Sequence, residues 1–106
     1  MSGDVLKNHL ELLVLTALKS GPGHGYSIIR AVRERSGGEF ELLEGSLYPL
    51  LHRLERNRLV TSSWTEVSGR KRRVYRLSRK GRTVVGEQQR DWRRFEQAMN
   101  LILADR

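Results

Sequence analysis

The sequence predicts a mainly α-helical fold with one small β-hairpin, and three observations carry that reading. Apolar residues recur at helical spacing in three short stretches before residue 57. Two strand-like runs, about Val60 to Glu66 and Arg72 to Leu77, flank a turn at Ser68-Gly69. A last stretch repeats apolar residues at steps of three and four from Val84 to Ile102.

In the first stretch Leu10, Leu13, Val14, Ala17 and Leu18 follow a helical stripe. Leu12 and Leu15 lie off it, so one face of this helix is expected to serve the core and another a partner. Gly21-Pro22-Gly23 then breaks the chain. A second helix is expected from about Gly25 to Arg35, burying Tyr26, Ile29 and Val32, with Gly37 as a left-handed cap. Glu39 to Glu44 form an acidic connector.

The third helix is expected from about Gly45 to Asn57, with Leu47, Leu50, Leu51 and Leu54 facing inward. Pro49 is assigned to its first turn, where backbone N–H groups lack helical acceptors anyway. In the second strand Tyr75 and Leu77 share one face, and Val74 and Arg76 the other. Ser78 caps a final helix reaching about Leu103. Along it Val84, Gln88, Trp92, Phe95, Met99 and Ile102 approximate a coiled-coil seam. Three helices, a hairpin and one long amphipathic helix describe a winged helix-turn-helix with a C-terminal dimerisation helix. The expected division is 1–78 for the DNA-binding part, its first helix shared with the dimer interface, and 79–106 for the dimerisation helix.

A chain of 106 residues suits one domain, and one this small gains from a second subunit that completes its core. Cysteine is absent, which excludes disulfides and thiolate metal sites. Met1 to Asn8 lacks the blocks of a secretory signal, and Leu10 to Leu18 is too short to span a bilayer. The reading is therefore a cytoplasmic protein with no membrane association. The net charge of +8 points to a nucleic-acid partner, and its placement sharpens the point. Between Arg70 and Arg82 lie eight basic residues and no acid, as much charge as the net of the whole chain.

The third helix sets Tyr48, His52 and Arg56 four residues apart, away from the leucine stripe, with Ser46, Pro49 and Arg53 bordering them. A helix presenting a phenol, an imidazole and guanidiniums can bond phosphates and base edges together, and the arginine fork matches guanine. The plain alternative is a solvated helix face. The basic hairpin beside it tips the balance toward double-stranded DNA, with Arg70, Lys71, Arg72 and Arg73 following the phosphate backbone or entering a minor groove. On the last helix Trp92 is either dimer-core packing or a stacking platform for a flat effector, with Phe95 next on the seam and Arg93 placed to meet a carboxylate. The interface residues expected between two copies are Leu12, Leu15, Val84, Gln88, Trp92, Phe95, Met99 and Ile102.

Gly25-Tyr26, the run Gly45-Ser46-Leu47-Tyr48-Pro49-Leu50-Leu51, and Gly69 to Ser78 across the hairpin together resemble the PadR-type transcription regulators, from about Leu10 to Leu103. The resemblance implies a homodimer on a palindromic operator, with Ser46, Tyr48, Pro49 and the Arg70 to Arg73 wing at the DNA. It implies a dimer interface built from the first and last helices. It also implies a repressor, of the kind that controls aromatic-acid detoxification or drug efflux and is relieved by a small planar aromatic effector. Arg58 departs from the family, which usually has glycine there; if that position is left-handed, arginine costs about 1 kcal/mol, unless Asn57 takes the strain.

Gly21-Pro22-Gly23-His24-Gly25 follows a helix rather than a strand and has no following lysine, so it is not read as a phosphate loop. His9, His24 and His52 show no ligand spacing, and no metal or other cofactor is expected. No nucleophile, base and orienting acid assemble, so no enzyme is expected. Trp64 is read as packed on the domain and Met99 as a gap-filler. Two rival readings remain: an effector-independent or architectural DNA-binding protein, and a protein–protein adaptor with a basic wing.

Overall fold

The computed structural model describes Leu6 and residues 9–104. The reading of Met1 to Asn8 falls, apart from Leu6, outside the described residues. Helix α1 spans Leu10–Lys19, α2 Gly25–Arg35 and α3 Glu44–Arg56. Strands β1 (Val60–Val67) and β2 (Arg70–Leu77) pair antiparallel, and α4 runs Arg79–Leu103. The expected order of elements is the observed one.

The core gathers one stripe from each element. Val14, Leu15 and Leu18 of α1 meet Ile28 and Val32 of α2 and the four leucines of α3; Tyr75 and Leu77 close it from β2, and Val85 from α4. Fully burying a leucine or valine contributes about 1.5–3 kcal/mol, so this cluster is the main term holding the head together.

Three expectations are corrected by the packing. Leu15, assigned to a partner face, is 0% exposed within its own protomer. Val14, Leu15 and Leu18 form the inward stripe, and Leu12 remains partly open. In α2 the inward residues are Ile28 and Val32; Tyr26 is 62% exposed, because it lies some 200° around the helix from Ile28. Pro49 does not sit in the first turn. The helix starts at Glu44, so Pro49 is its sixth residue, and its missing N–H leaves the Gly45 carbonyl without a helical partner. The connector also hides more than its acidic character suggests, since Leu42 is buried and Phe40 packs on the core.

Both α2 and α3 end in Schellman turns. The Gly38 N–H bonds the Arg33 carbonyl at 2.8 Å and the Gly37 N–H that of Glu34 at 3.2 Å, with Gly37 at φ 64°. The same pair of bonds recurs at Leu59 to Leu54 and Arg58 to Glu55, with Arg58 at φ 62°. Arg58 therefore takes the left-handed position, and Asn57 at φ −83° does not.

The first half of α4 belongs to the head. Val85 is buried, Val84 packs on the core, and Gln88 and Gln89 bond Glu11 and Thr16 of α1 at 2.7 and 3.2 Å. Gly81 lets the helix pass against the Leu59 carbonyl, where a Cβ would collide with backbone. From Arg90 to Ala104 every residue is exposed, so the rest of α4 extends away from the head, in a molecule measuring 59 × 28 × 21 Å. No helix among the described residues is long and apolar enough to cross a membrane.

Candidate nucleic-acid interface

The outer side of α3 opposes its leucine stripe and carries Gly45, Pro49, His52 and Arg56, all exposed. Ser46 and Arg53 border it on the α1 side, where Arg53 lies 4.0 Å from Glu11. Tyr48 borders it on the α2 side. Its ring rests against Gly25 at the start of α2, where a Cβ would meet the phenol oxygen and Cζ. Tyr48 thus joins the two helices of the helix-turn-helix while staying 39% exposed.

Val60, Tyr75 and Leu77 seat the hairpin in the core, and Arg73 adds a polar tie to α3. Arg73 donates to the Ser62 hydroxyl at 3.0 Å and to Glu55 at 3.5 Å, and Ser62 donates to Glu55 at 2.6 Å. The Arg73 guanidinium also lies 5.5 Å from the centre of the Trp64 ring. Trp64, expected against the domain, is instead 63% exposed on the wing, where packing on two strands offers no core to enter.

Arg72 points the other way, its guanidinium 3.2 Å from the His24 ring. The four basic residues of the wing therefore divide. Arg72 and Arg73 engage the protein itself, whereas Arg70 and Lys71 are exposed beside the Ser68-Gly69 turn, both turn residues at positive φ. Among the described residues, neither Arg70, Lys71, His52 nor Arg56 makes a side-chain hydrogen bond or ion pair. Burial pushes the Tyr75 phenol up, and burial together with Arg72 holds the His24 imidazole down.

The first and last helices enclose a cleft of about 490 Å³ lined by Leu12, Leu13, Phe40, Trp92 and Arg93, with His9 at its edge. The His9 ring meets Trp92 edge-on at 5.1 Å, and Phe95 lies 5.6 Å from Trp92 on the other side. Sequence reasoning missed His9 and Phe40 here, and Glu55, His24 and Gly25 at the interface. Only the Gly25-Tyr26 pair had given any signal.

Residues 14–87 match the pattern of the transcriptional regulator PadR-like family. The chain belongs to that family. The chain is 43% identical over 58 residues to "Transcriptional regulator Rv3488" of Mycobacterium tuberculosis, covering 55% of this chain and 54% of that one. A PadR family transcription regulator from hypervirulent Clostridium difficile R20291 superposes with a TM-score of 0.81 at 32% identity, over 91% of this chain and 99% of that one. A PadR-like transcriptional regulator of Bacillus cereus gives a TM-score of 0.85 at 26% identity, over 98% and 100% of the two chains. This PadR protein is thus a winged-helix transcriptional regulator, and regulation through DNA is the function its family implies. Family and fold are those of regulators rather than enzymes.

Proposed function

We propose that this PadR protein is a cytoplasmic homodimeric repressor that grips a palindromic operator with α3 and the wing tip and is released by a small planar aromatic compound. The observation that carries the DNA reading is the division among its cations. Arg56, His52, Arg70 and Lys71 remain exposed beside elements that Arg72, Arg73 and Tyr48 lock into place. Phosphate contacts from such side chains orient a protein on the duplex, and Ser46, Pro49, Arg53 and Arg56 are placed to reach base edges.

The homodimer reading rests on the far half of α4. Trp92, Phe95, Met99 and Ile102 lie bare on one seam, while Val84 and Gln88 are already engaged within the protomer. A second copy laid along that seam removes the apolar surface from water. The proposed units are the winged head, 1–78, and the dimerisation arm, 79–106, although the start of α4 packs on the head. The effector reading rests on the cleft beside Trp92, mostly apolar and with Arg93 in its lining to meet an acidic group.

Titrating a duplex of the DNA upstream of the chain's own coding sequence into the protein tests the reading. Two protomers are expected per site, with a strong preference over scrambled duplex at physiological salt. Equal affinity for both duplexes would favour an architectural DNA-binding role instead.

A further inference from the structure

The wing is fastened to the helix-turn-helix at a second place. Gly23 and Tyr75 exchange two backbone hydrogen bonds, at 3.0 and 2.8 Å, so the segment entering α2 pairs with β2. His24 follows directly and caps α2. Its Nδ1 accepts from the Ser27 N–H at 3.4 Å, and the Ser27 hydroxyl accepts from the His24 N–H at 3.0 Å. The ring lies nearly parallel to that of Tyr26, centroids 6.5 Å apart, and Arg72 Nη1 sits 3.2 Å from Nε2 and 3.4 Å from Nδ1.

A ring that accepts at Nδ1 is neutral with its proton on Nε2. Arg72 Nη1, nearly equidistant from both ring nitrogens, meets the ring as a cation over its face rather than as a donor to Nε2. Adding a second proton removes the acceptor for Ser27 and sets one cation against another across the Arg72 contact. We propose that His24 is a positioning residue for DNA binding, a proton-sensitive joint that holds Arg72 against α2, and so steadies the wing, only while its imidazole is neutral. The groups facing the ring are Arg72 from β2 and Tyr26 and Ser27 from α2, and Tyr48 of α3 lies one residue on, against Gly25. Among the described residues no carboxylate pairs with His24 to stabilise its charge.

The direction follows from that environment. Burial, reinforced by Arg72, lowers the His24 value in the fold below its ordinary 6.5. The neutral ring's contribution is therefore complete above that value and is lost as pH falls through the lowered one. On acidification α2 loses the Nδ1 half of its capping box and Arg72 leaves the ring, so at this place the wing keeps only its Gly23–Tyr75 backbone pair.

The inference rests on the wing meeting DNA, and the test has two arms to separate the two claims. In the first, NMR follows the intact protein from about pH 7.5 to about pH 5. The His24 ring, the Ser27 amide and the Arg72 side chain are expected to titrate together, with a midpoint below 6.5. His24→Asn, which caps a helix without titrating, should leave Ser27 and Arg72 unmoved. A His24 midpoint at or above 6.5, or Arg72 resonances indifferent to it, would overturn the joint. In the second, wild type and His24→Asn bind a duplex of the DNA upstream of the coding sequence across the same range. Since both proteins carry His9 and His52, their comparison isolates residue 24. With each profile normalised to its own value near neutrality, wild type should lose about fivefold more affinity toward acid than His24→Asn. Superimposed profiles would overturn the positioning role. Failure of both proteins to bind DNA at any pH would instead refute the DNA reading, and the NMR arm alone would then decide the joint.

Discussion

The phenol of Tyr48 occupies the space a side chain on Gly25 would need, so α3 and the start of α2 meet through one ring and one missing Cβ. Gly25→Ala should push Tyr48 off this seat and destabilise the fold by roughly 1–3 kcal/mol, the usual range for overpacking. In a Tyr48→Ala background the same change should cost almost nothing. Urea unfolding of the four proteins measures the coupling, and simple additivity would show that the contact does not hold the two helices.

Arg58 holds a left-handed conformation at the end of α3. Such a position costs an L-residue about 1–2 kcal/mol, and glycine gives back part of that by its freer unfolded chain. Arg58→Gly should raise unfolding stability by about 0.5–1 kcal/mol. Thermal unfolding checks it, and an unchanged or lowered midpoint would place the strain elsewhere.

The two pairs of wing cations should behave differently. Replacing Arg70 and Lys71 with alanine should lower the salt dependence of operator binding by about one unit per lost phosphate contact. Arg73→Ala should instead loosen the wing from α3, broadening the Ser62 and Trp64 resonances. Its effect on global stability should stay within about 1 kcal/mol, since the Glu55 pair is partly exposed. An unaltered slope after the double replacement would take the wing tip out of the interface.

A charge on the bare half of α4 should separate the protomers without unfolding them. Phe95→Asp or Ile102→Asp lies beyond the last residues that α4 contributes to the head core, Val84 and Val85. Sedimentation should then report monomers with wild-type helix content by circular dichroism. Dimers of undiminished affinity would show that the seam lies elsewhere.

Planar aromatic compounds with an acidic group should quench tryptophan fluorescence through Trp92, which lines the cleft, and not through Trp64, which is out on the wing. Quenching should vanish in Trp92→Ala and persist in Trp64→Ala. A compound that dissociates the DNA complex equally well from the Trp92→Ala protein binds somewhere else.

Periodicity made the elements legible, because amphipathic stripes, the Gly37 stop and the Ser78 start are local features. Leu15 and Tyr26 were misplaced for a shared reason. In a helix with apolar residues on several sides, the face that turns inward is chosen by its neighbours, and neither neighbour is visible in the local pattern. The basic run announced a polyanion, but sequence alone does not say which cations the protein keeps for itself. Arg72 and Arg73 are taken by His24 and Glu55, which lie 48 and 18 residues away along the chain. His24 was set aside for lacking metal-ligand spacing, and its use as a cap and arginine partner depends on the return of β2.

Ser78, directly after β2, joins the end of α3 to the start of α4 through one hydroxyl. It accepts from the Gly81 N–H at 2.9 Å to start α4, and donates at 2.6 Å to the carbonyl of Arg58 just past the end of α3. The Ser78 N–H bonds the Leu59 carbonyl at 3.0 Å. With Gly81 pressed on that carbonyl as well, the end of α3 and the start of α4 are tied at close quarters, so a tilt of one is passed to the other. The arm is 25 residues long, roughly 37 Å at 1.5 Å per residue. A tilt of about 5° at its far end sweeps α3 through roughly 3 Å, close to the rise of one base pair. In the proposed homodimer the distance between the two heads is thus geared to the crossing angle of their arms, and a small repacking at the proposed seam is enough to move a head out of step with a half-site.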